Sequence, residues 1–472
     1  MRPHPTNPKP RHGAAASPVA VRSRGAAFIV ALLVVTVLAS LVVVFAHSMR
    51  TEALAATNHA STAEARQAAR GVIEAVRGDL AQDLAAEEVP RLTGVPAAGG
   101  RVGGCIYWII GPDVTDDTAH AYGIVGESSK LNLNNAGPAV LIELPGMTED
   151  FAAAIVDWRD DDTETTPGGA ESDYYLTRPT PYNAQDGPFE TLGEVMLVRG
   201  ATQEILVGED ANKSGRLDPT EDDGDLSGVV DDADGTLNRG LLGLTTVYSI
   251  EPQLSLDGEE RINIQQRSQE LGALLGEIME QERFNEVAPQ INGRRPFASV
   301  LDFHIRNELT EDEFELMHDK LKIGGQEQRV GPVDVYTASA EVLNALPGME
   351  PGDGEALVAA RPVLVADEQP GNIAWIIPIL GDDKAAQVAA RLTHRSVQFT
   401  VDVVAVTDDG RGFCRLRAVI DTTPTMEDAG TLPEILYIQD LTALGWPMEQ
   451  DILDQLRSGV PAEEVALQYG GE

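Results

Sequence analysis

The feature that most constrains this chain of 472 residues is a single uninterrupted apolar segment near its beginning. Residues 26–46 contain no charged side chain and consist mostly of Ala, Val and Leu. At the helical rise of about 1.5 Å per residue, a segment of this length reaches across a hydrocarbon core of about 30 Å. The segment therefore predicts one membrane-spanning helix.

The two sides of this segment carry opposite charge. Residues 1–25 contain basic side chains and no acidic one, whereas the chain as a whole has 75 Asp and Glu against 35 Lys and Arg, a net charge of -40. Because basic flanks remain in the cytoplasm, we expect a cytoplasmic N-terminus and a remainder that is periplasmic or extracellular. The acidic balance also repels nucleic acid, which is not expected as a partner.

Helical periodicity continues beyond the apolar segment. Apolar side chains recur at near-helical spacing as far as Leu80, in an alanine-rich stretch. We expect one helix from about residue 26 to the low 80s. Its first half would lie in lipid, and its second half would present an apolar stripe to a folded body.

The chain contains an internal repeat. Residues 131–159 and residues 333–361 align without a gap, and each contains Leu-Pro-Gly-Met between two apolar segments. Proline followed by glycine ends a helix and begins a turn. Each copy therefore predicts a short strand, a helix, a tight turn and a second helix, and it resembles the helix-hairpin-helix motif. Glu149 and Glu350 lie near the openings of the second helices, where their charge would repel phosphate.

Residues 210–221 follow the twelve-residue calcium loop. Gly215 falls at position six, where that loop turns sharply, and Glu221 falls at position twelve, where a bidentate carboxylate is needed. The pattern predicts a calcium site, although a solvated acidic turn is the alternative. The candidate ligands are Asp210, Asn212, Ser214, the carbonyl of Arg216, Asp218 and Glu221. Asp232 and Asp234 resemble half of a second loop and are weaker candidates.

Strand signals occur in two distant places. Residues 102–110 and 121–126 lie early, whereas residues 397–406, 412–420 and 435–440 lie late and include a hairpin turn at Asp408-Asp409-Gly410. Together they predict an α+β fold: a long N-terminal transmembrane helix packed on a small antiparallel sheet. A large, mostly helical insertion with both hairpin copies would lie between the strands.

The sequence contains two cysteines and no recognisable catalytic motif. Cys105 and Cys414 could form a disulfide or remain two buried thiols, and the sequence leaves both open. The motifs of zinc proteases, serine hydrolases and nucleotide-binding loops do not occur. We therefore expect no enzyme and no small-molecule substrate.

The start of the apolar segment resembles the leader of type IV prepilins. Arg22-Ser23-Arg24-Gly25 stands directly before it, and the prepilin peptidase of that family would cut between Gly25 and Ala26. Most pilins have a glutamate at the fifth mature position that pairs with the neighbouring subunit. Here that position is Val30. Because an unpaired carboxylate in the membrane is costly, its absence predicts that no subunit precedes this one in the fibre.

The combination of this leader, Val30 and the hairpin-bearing insertion is similar to the K-type minor pseudopilins of type II secretion. The resemblance implies a structural protein at the tip of the pseudopilus that supports protein export across the outer membrane. It also implies an inner-membrane location, other minor pseudopilins as partners through their N-terminal helices, and processing by prepilin peptidase. The K-type family binds calcium in its insertion, which adds Asp160, Asp162, Glu171 and Asp173 as weaker candidate ligands.

The resemblance also gives an expected domain layout. In chain order it comprises a leader (1–25), a transmembrane half-helix (26–46), a soluble half-helix with the first strands (47–129), a helical insertion (130–395) with an acidic calcium loop (208–240), closing strands (396–446) and a tail with a short helix and a frayed end (447–472).

Two other functions remain open on the sequence. One is a membrane-anchored, competence-like protein that binds DNA through the two hairpins. The other is a calcium-dependent surface scaffold held by an uncleaved signal anchor.

Overall fold

The computed structural model describes residues 24–362, 371–428 and 430–470 of the chain, except for the side chains of Arg24, Gly25 and Asp225. Most of the predicted leader and part of the predicted insertion therefore lie outside the described residues. The chain divides into two units, residues 1–59 and residues 60–472.

The first unit contains the start of one long helix, α1 (Arg24–Ala85). Every described side chain between residues 26 and 59 is exposed. The mean hydropathy reaches 3.2 in the most apolar window of this helix, so its length and composition suit a membrane span. The predicted long N-terminal helix is confirmed.

The described residues of the second unit form short and long strands. In chain order these are β1 (Gly100–Val102), β2 (Cys105–Pro112), β3 (His120–Tyr122), β4 (Val125–Gly126), β5 (Leu131–Asn132), β6 (Thr245–Thr246), β7 (Ile250–Pro252), β8 (Ile262–Asn263), β9 (Leu321–Lys322), β10 (Gln328–Val330), β11 (Val333–Asp334), β12 (Leu392–Thr393), β13 (Gln398–Thr407), β14 (Phe413–Asp421) and β15 (Glu434–Asp440).

Most of the helices lie between β5 and β12. After α1 they are α2 (Pro138–Leu141), α3 (Glu149–Arg159), α4 (Ser172–Tyr175), α5 (Gln203–Val207), α6 (Gly240–Leu244), α7 (Gln269–Ile278), α8 (Gln281–Arg294), α9 (Val300–Arg306), α10 (Glu311–Glu315), α11 (Ala340–Asn344), α12 (Asp353–Ala360), α13 (Ile377–Leu380), α14 (Asp382–Val388), α15 (Thr423–Glu427), α16 (Gln450–Ser458) and α17 (Ala462–Gln468).

The main sheet joins strands from both ends of the second unit. Its order is β1-β2-β13-β14-β15, with β3 paired to β2 and β4 paired to β13, and its pairings are antiparallel. The predicted α+β architecture, with an antiparallel sheet and substantial helical content, is confirmed. Strands β13 and β14 lie one residue later than the predicted ranges, and β15 begins one residue earlier than predicted.

One face of this sheet packs on the part of α1 that belongs to the second unit. Val72, Val76 and Leu80 lie on the buried stripe of the helix, against Val403 and Leu416 of the sheet. Removing apolar surface from water stabilises such a layer by about 25 cal/mol per Å². The first half of α1 thus has the composition of a membrane span, and the apolar stripe of its second half packs in the core.

The two cysteines face this core without forming a disulfide. Both are buried and free. Cys105 lies opposite Thr407 on one side of β13, and Cys414 lies opposite Ala405 on its other side. Because a whole strand separates them, a disulfide is geometrically excluded in this arrangement.

The opposite face of the sheet is covered by the C-terminal helices. Ile452 and Leu456 of α16 and Val465 of α17 are buried against Trp108 of β2. The indole N–H of Trp108 donates to the carbonyl of Tyr469 at 2.8 Å. The C-terminal segment is therefore a packed layer of two helices, which differs from the predicted short helix with a frayed end.

Three strand pairs with the same design occur in the insertion. Each pair is parallel and joins the first strand of a chain segment, here called a module, to the strand that ends it. The pairs are β5–β6, β8–β9 and β11–β12. In each, the residue after the first strand donates its N–H to the return strand: Leu133 to Thr246, Ile264 to Lys322 and Val335 to Thr393. The insertion thus contains a third module at residues 262–322, whereas the sequence predicted two copies. The middle module lacks Leu-Pro-Gly-Met. Its Ile262-Asn263-Ile264 start resembles both other modules, and its Pro296-Phe297 matches Pro188-Phe189 of the first.

The two recognised copies agree in detail. The closing arginine of each hairpin donates to a carbonyl at the start of its own module, Arg159 to Ala136 and Arg361 to Ala338, both at 2.6 Å. Because these pairs occupy equivalent positions in the repeat, the arginine closes the hairpin in the same way twice.

A buried ion cluster joins the insertion to the sheet. Asp402 of β13 accepts hydrogen bonds from Arg415 at 2.8 Å and from Arg417 at 2.7 Å, both on β14. Arg415 also donates to the backbone carbonyls of Asn212 at 2.7 Å and Lys213 at 2.5 Å. Burial opposes ionisation of Asp402, but the two guanidinium groups hold its pKa below the usual value.

The Arg415→Ala variant should be strongly destabilised, because it leaves Asp402 buried with half of its counter-charge removed. Loss of one partner of a buried pair costs about 3–5 kcal/mol. Denaturant unfolding of the full chain in detergent measures the change. Arg411→Ala is the matched control, since its pair with Asp409 is exposed and should contribute less than about 1 kcal/mol. Equal effects of the two variants would contradict this account of the cluster.

Candidate functional site

Three carboxylates of the first module converge on one point. Ligand oxygens of Asp160, Asp162 and Glu171 all lie within 4.8 Å of one another. Asp160 caps the C-terminal end of α3, and Glu171 is the residue before α4, so the turn between the two helices folds the acids together. Hard divalent cations prefer oxygen ligands, and three convergent carboxylates can supply several of them.

Glu171 is the residue of this cluster that most needs a counter-charge. It is only 4 % exposed. Neither of its carboxylate oxygens has a hydrogen-bond partner among the described residues, and Oδ1 of Asp160 has none either. Burial, followed by the charges of Asp157 and Asp160, raises the pKa of Glu171 to about 7. A bound cation would satisfy these oxygens and remove the repulsion.

Asp157 is a further part of this centre that the sequence did not single out as a ligand. It is fully buried on α3, one helical turn before Asp160. Its carboxylate accepts the N–H of Thr166 at 3.1 Å. A Cβ at Gly169 would lie 2.1 Å from its Oδ2, so only glycine leaves room for this carboxylate. The spacing of three residues between Asp157 and Asp160 on a helix is the sequence signal that could have identified it.

The 210–221 loop has the turns that a calcium loop requires. Asp210 accepts the N–H groups of Ser214 at 2.7 Å and Gly215 at 3.0 Å. Gly215 has φ +74°, a conformation that favours glycine, at the position where the pattern predicts it. Glu221 accepts the N–H of Asp218 at 3.1 Å, which folds the end of the loop back on its middle.

The polar groups of this loop are partly engaged with one another. The amide of Asn212 donates to Asp218 at 2.6 Å, and the guanidinium of Arg216 donates to the same carboxylate at 2.6 Å. Within the described part of the chain, the carboxylate oxygens of this loop do not converge as closely as those of Asp160, Asp162 and Glu171, which lie within 4.8 Å of one another. Asp218 would have to exchange its present partners for a metal.

Two carboxylates of the loop, Asp210 and Glu221, are buried at a cost to their ionised forms. Burial raises the pKa of Asp210 above its usual value. Burial, with the charges of Asp210 and Asp218, raises the pKa of Glu221 to about 7. A cation bound here would favour the ionised forms, as it would at the Asp160 cluster.

The other candidate ligands lie outside both groups. Asp173 is exposed on α4 and is not a member of the cluster. Asp232 accepts the N–H of Asp234 at 3.2 Å, and Asp234 accepts that of Thr236 at 2.8 Å. Among the residues that the structure describes, these two acids stabilise their own exposed turns.

The openings of the second hairpin helices carry acids. Glu149 and Asp150 occupy the first turn of α3, and both are exposed. In the second copy, Lys384 donates to Glu350 and to Asp353 at 2.8 Å each. A helix N-terminus attracts anions through its free N–H groups, but here carboxylates already occupy that position.

The membrane-facing candidates lie on α1. Gly25 is within the helix backbone, and Ala26 and Val30 are exposed within the first unit. Residues 26–46 of the helix contain no acidic side chain, so no carboxylate takes over the role of the pilin glutamate at a neighbouring position.

A cavity of about 270 Å³ in the insertion is lined by charged side chains. Its Arg261 pairs with Glu251 at 2.8 Å and with Asp319 at 2.7 Å. Burial opposes ionisation of Glu251, but Arg261 and Arg329 lower its pKa to about 2. Arg395 pairs with the same two acids, so three arginines and two carboxylates form one buried ion-pair network beside the cavity.

Comparison with known proteins identifies the first module. Residues 129–207 match the family model described as type II secretion system protein K. The resemblance to the K-type family that the sequence predicted is therefore confirmed, and the matched residues contain the first hairpin and the Asp160 cluster. No curated protein matches the chain.

A solved structure also aligns with the chain. It is a chain in the crystal structure of the GspK-GspI-GspJ complex from the type 2 secretion system of enterotoxigenic Escherichia coli. The two chains are 14% identical, and the alignment covers 80% of this chain and 95% of that one with a TM-score of 0.40.

The raised pKa of Glu171 predicts how metal-free stability depends on pH. The folded state holds this proton up to about pH 7, whereas an unfolded carboxyl releases it near pH 4.3. Between these two pH values the folded chain therefore binds more protons than the unfolded chain, and the free energy of unfolding falls as pH rises. In chelator, Glu171→Gln should be more stable than the parent at pH 8, and the difference should vanish towards pH 4. Melting curves across this range measure it. Asp173→Asn, at an exposed acid outside the cluster, should show no such trend, and a pH-independent Glu171→Gln effect would refute the assignment.

Proposed function

We propose that the chain is a K-type minor pseudopilin of a type II secretion system. The family match over residues 129–207 carries this proposal. Helix α1 supports it independently, because it combines a membrane-spanning composition with a second half that packs under the sheet. In this proposal residues 26–46 cross the inner membrane and the second unit lies in the periplasm.

The absence of an acid in the apolar helix supports a position at the tip. A subunit inside the fibre gains from a carboxylate that meets the N-terminus of the subunit ahead. Val30 provides no such contact, and a carboxylate without a partner would cost several kcal/mol in the membrane. The chain would therefore begin the pseudopilus and assist export of proteins across the outer membrane.

The proposed role is structural, and its partners are other minor pseudopilins. The complex named above contains GspK with GspI and GspJ, and we extend that kind of partnership to this chain. Prepilin peptidase would process the leader. The acids at the openings of α3 and α12 disfavour the competing role in DNA binding, because they oppose phosphate where a hairpin would contact it.

We further propose that calcium binds the insertion. The Asp160 cluster supplies convergent, uncompensated carboxylates, and the 210–221 loop supplies the required turns around Asp210 and Glu221. When bound, the cation would neutralise these acids and hold the chain segments that carry them together. Since Arg415 contacts the carbonyls of the second site, ordering of that loop would also reinforce its attachment to the sheet.

Calcium should raise the melting temperature of the full chain. A ligand at a hundredfold excess over its dissociation constant stabilises by about 2.7 kcal/mol. Asp160→Asn/Glu171→Gln and Asp210→Asn/Glu221→Gln should each reduce the calcium-dependent shift. Asp232→Asn/Asp234→Asn is the control that should retain it. A parental melting curve that is the same in calcium and in chelator would eliminate both sites.

Deleting the gene should abolish export of the secreted proteins, and the parental gene should restore it. The mature N-terminus should begin at Ala26, because the leader is proposed to be cut after Gly25. Secretion assays and mass spectrometry of the membrane-extracted protein measure the two outcomes. Normal export without the gene would overturn the proposed role, and a chain that retains residues 1–25 would support the anchored scaffold instead.

A further inference from the structure

The cavity beside the buried ion-pair network lies between the middle module and the last module of the insertion. Its volume is about 270 Å³. For comparison, a cavity of about 150 Å³ in an apolar protein core holds one benzene molecule. The space therefore suits a small organic molecule built on a single ring. Part of the wall is apolar and includes Leu301, Phe314, Leu321 and Leu392.

The polar part of the wall carries more positive than negative charge. The network that borders it comprises three guanidinium groups and two carboxylates, those of Arg261, Arg329, Arg395, Glu251 and Asp319. Lys322 adds an ammonium group, which Glu260 offsets at 2.6 Å. Burial lowers the pKa of His318 and His394, which also line the cavity, so neither adds a charge near neutral pH. The network thus holds one positive charge in excess, on a chain with a net charge of -40.

Arg395 shows the effect of this excess. Burial, followed by repulsion from Arg261, lowers the pKa of Arg395, and Asp319 and Glu251 oppose the shift only in part. Its Nη1 lies 3.0 Å from a carboxylate oxygen of Asp319, but neither Nη1 nor Nε forms a hydrogen bond with a described residue. An anion in the cavity would supply the counter-charge that the network lacks.

One neutral polar side chain of the wall also lacks a partner. Gln253 is 4% exposed and lines the cavity, and its amide oxygen has no hydrogen bond within the part of the chain that the structure describes. Burying an amide without a hydrogen bond costs free energy. A half-turn of this amide presents its NH₂ group to the same space, so Gln253 can donate to an anionic oxygen in the cavity.

We propose that the cavity binds a small organic monocarboxylate. Arg261 and Arg329 each donate three hydrogen bonds within the protein, which leaves N–H groups of both guanidinium groups for a ligand. The planar guanidinium matches the two oxygens of a carboxylate, and a single negative charge matches the excess of one. The apolar body of the ligand would contact the leucines of the wall. This site is separate from the proposed calcium sites and does not depend on the role in secretion.

Benzoate and benzamide are matched probes of the cavity, because they have nearly the same size and only benzoate carries a charge. Isothermal titration of the full chain in detergent, at about pH 7.5 and constant ionic strength, measures both, with detergent alone as the blank. Benzoate should bind at least about tenfold more tightly. Gln253→Leu should weaken benzoate binding by about tenfold, because a hydrogen bond to a charged group is lost.

Arg329→Gln tests the charge excess itself, because it leaves two arginines against two carboxylates. This variant should lose the preference for benzoate over benzamide, whereas Arg329→Lys should keep it. Arg283→Gln is the matched control: the two arginine side chains are 28% and 27% exposed, and Arg283 pairs with Glu286 and Glu313 outside the cavity wall. Melting temperatures show which variants remain folded, and Gln253→Leu provides the test if Arg329→Gln does not fold.

Three outcomes would overturn the inference. Equal binding of benzoate and benzamide would show an apolar cavity without preference for an anion, and no binding of benzoate would remove the site. Tighter binding of inorganic phosphate than of benzoate would replace the carboxylate by an inorganic oxyanion. Each of these results leaves export and leader cleavage untouched, so failure of this inference is distinguishable from failure of the proposed function.

Discussion

The structure depends on one packing interaction, the burial of the apolar stripe of α1 under a sheet whose strands come from opposite ends of the second unit. Strand β2 precedes the insertion, and β13 and β14 follow it, yet all three contact the same face of the helix. Closing so long a loop costs entropy that grows only slowly with its length, so the sheet tolerates a large insertion between its strands. The insertion in turn needs its own core, which it builds from its helices.

The sequence revealed the parts of the fold that repeat or alternate. Leu-Pro-Gly-Met marks both hairpin copies, and two segments rich in apolar residues around an acidic turn place β13 and β14 within one residue. The middle module was missed because it lacks Leu-Pro-Gly-Met, and the strand start and Pro296-Phe297 that it keeps are too short to mark a repeat. The second C-terminal helix was not predicted. The apolar spacing of α16 and α17 indicates core packing only once Trp108 is known to lie on the sheet face that they cover.

The candidate site was less accessible to sequence reasoning for a physical reason. A loop of consecutive ligands such as 210–221 is visible in the sequence, whereas the Asp160 cluster forms only when the turn after α3 brings Glu171 back to the helix end. The contact of Arg415 with Asn212 joins residues about 200 positions apart. Nothing local distinguishes that arginine from a surface residue of a strand, so its role in joining the sheet and the insertion required the structure.

The repeat explains why the carboxylate cluster occurs in one hairpin and not in its copy. Arg159 and Arg361 close the two hairpins with the same hydrogen bond, so the backbone at both helix ends is alike. In the first copy that end carries Asp157 and Asp160, whereas the equivalent positions of the second copy are Ala359 and Pro362. The second copy therefore lacks both the buried charge and a ligand at the helix end. Both hairpins share this support, and acids in the last turn give one copy the carboxylate cluster at which we propose that calcium binds.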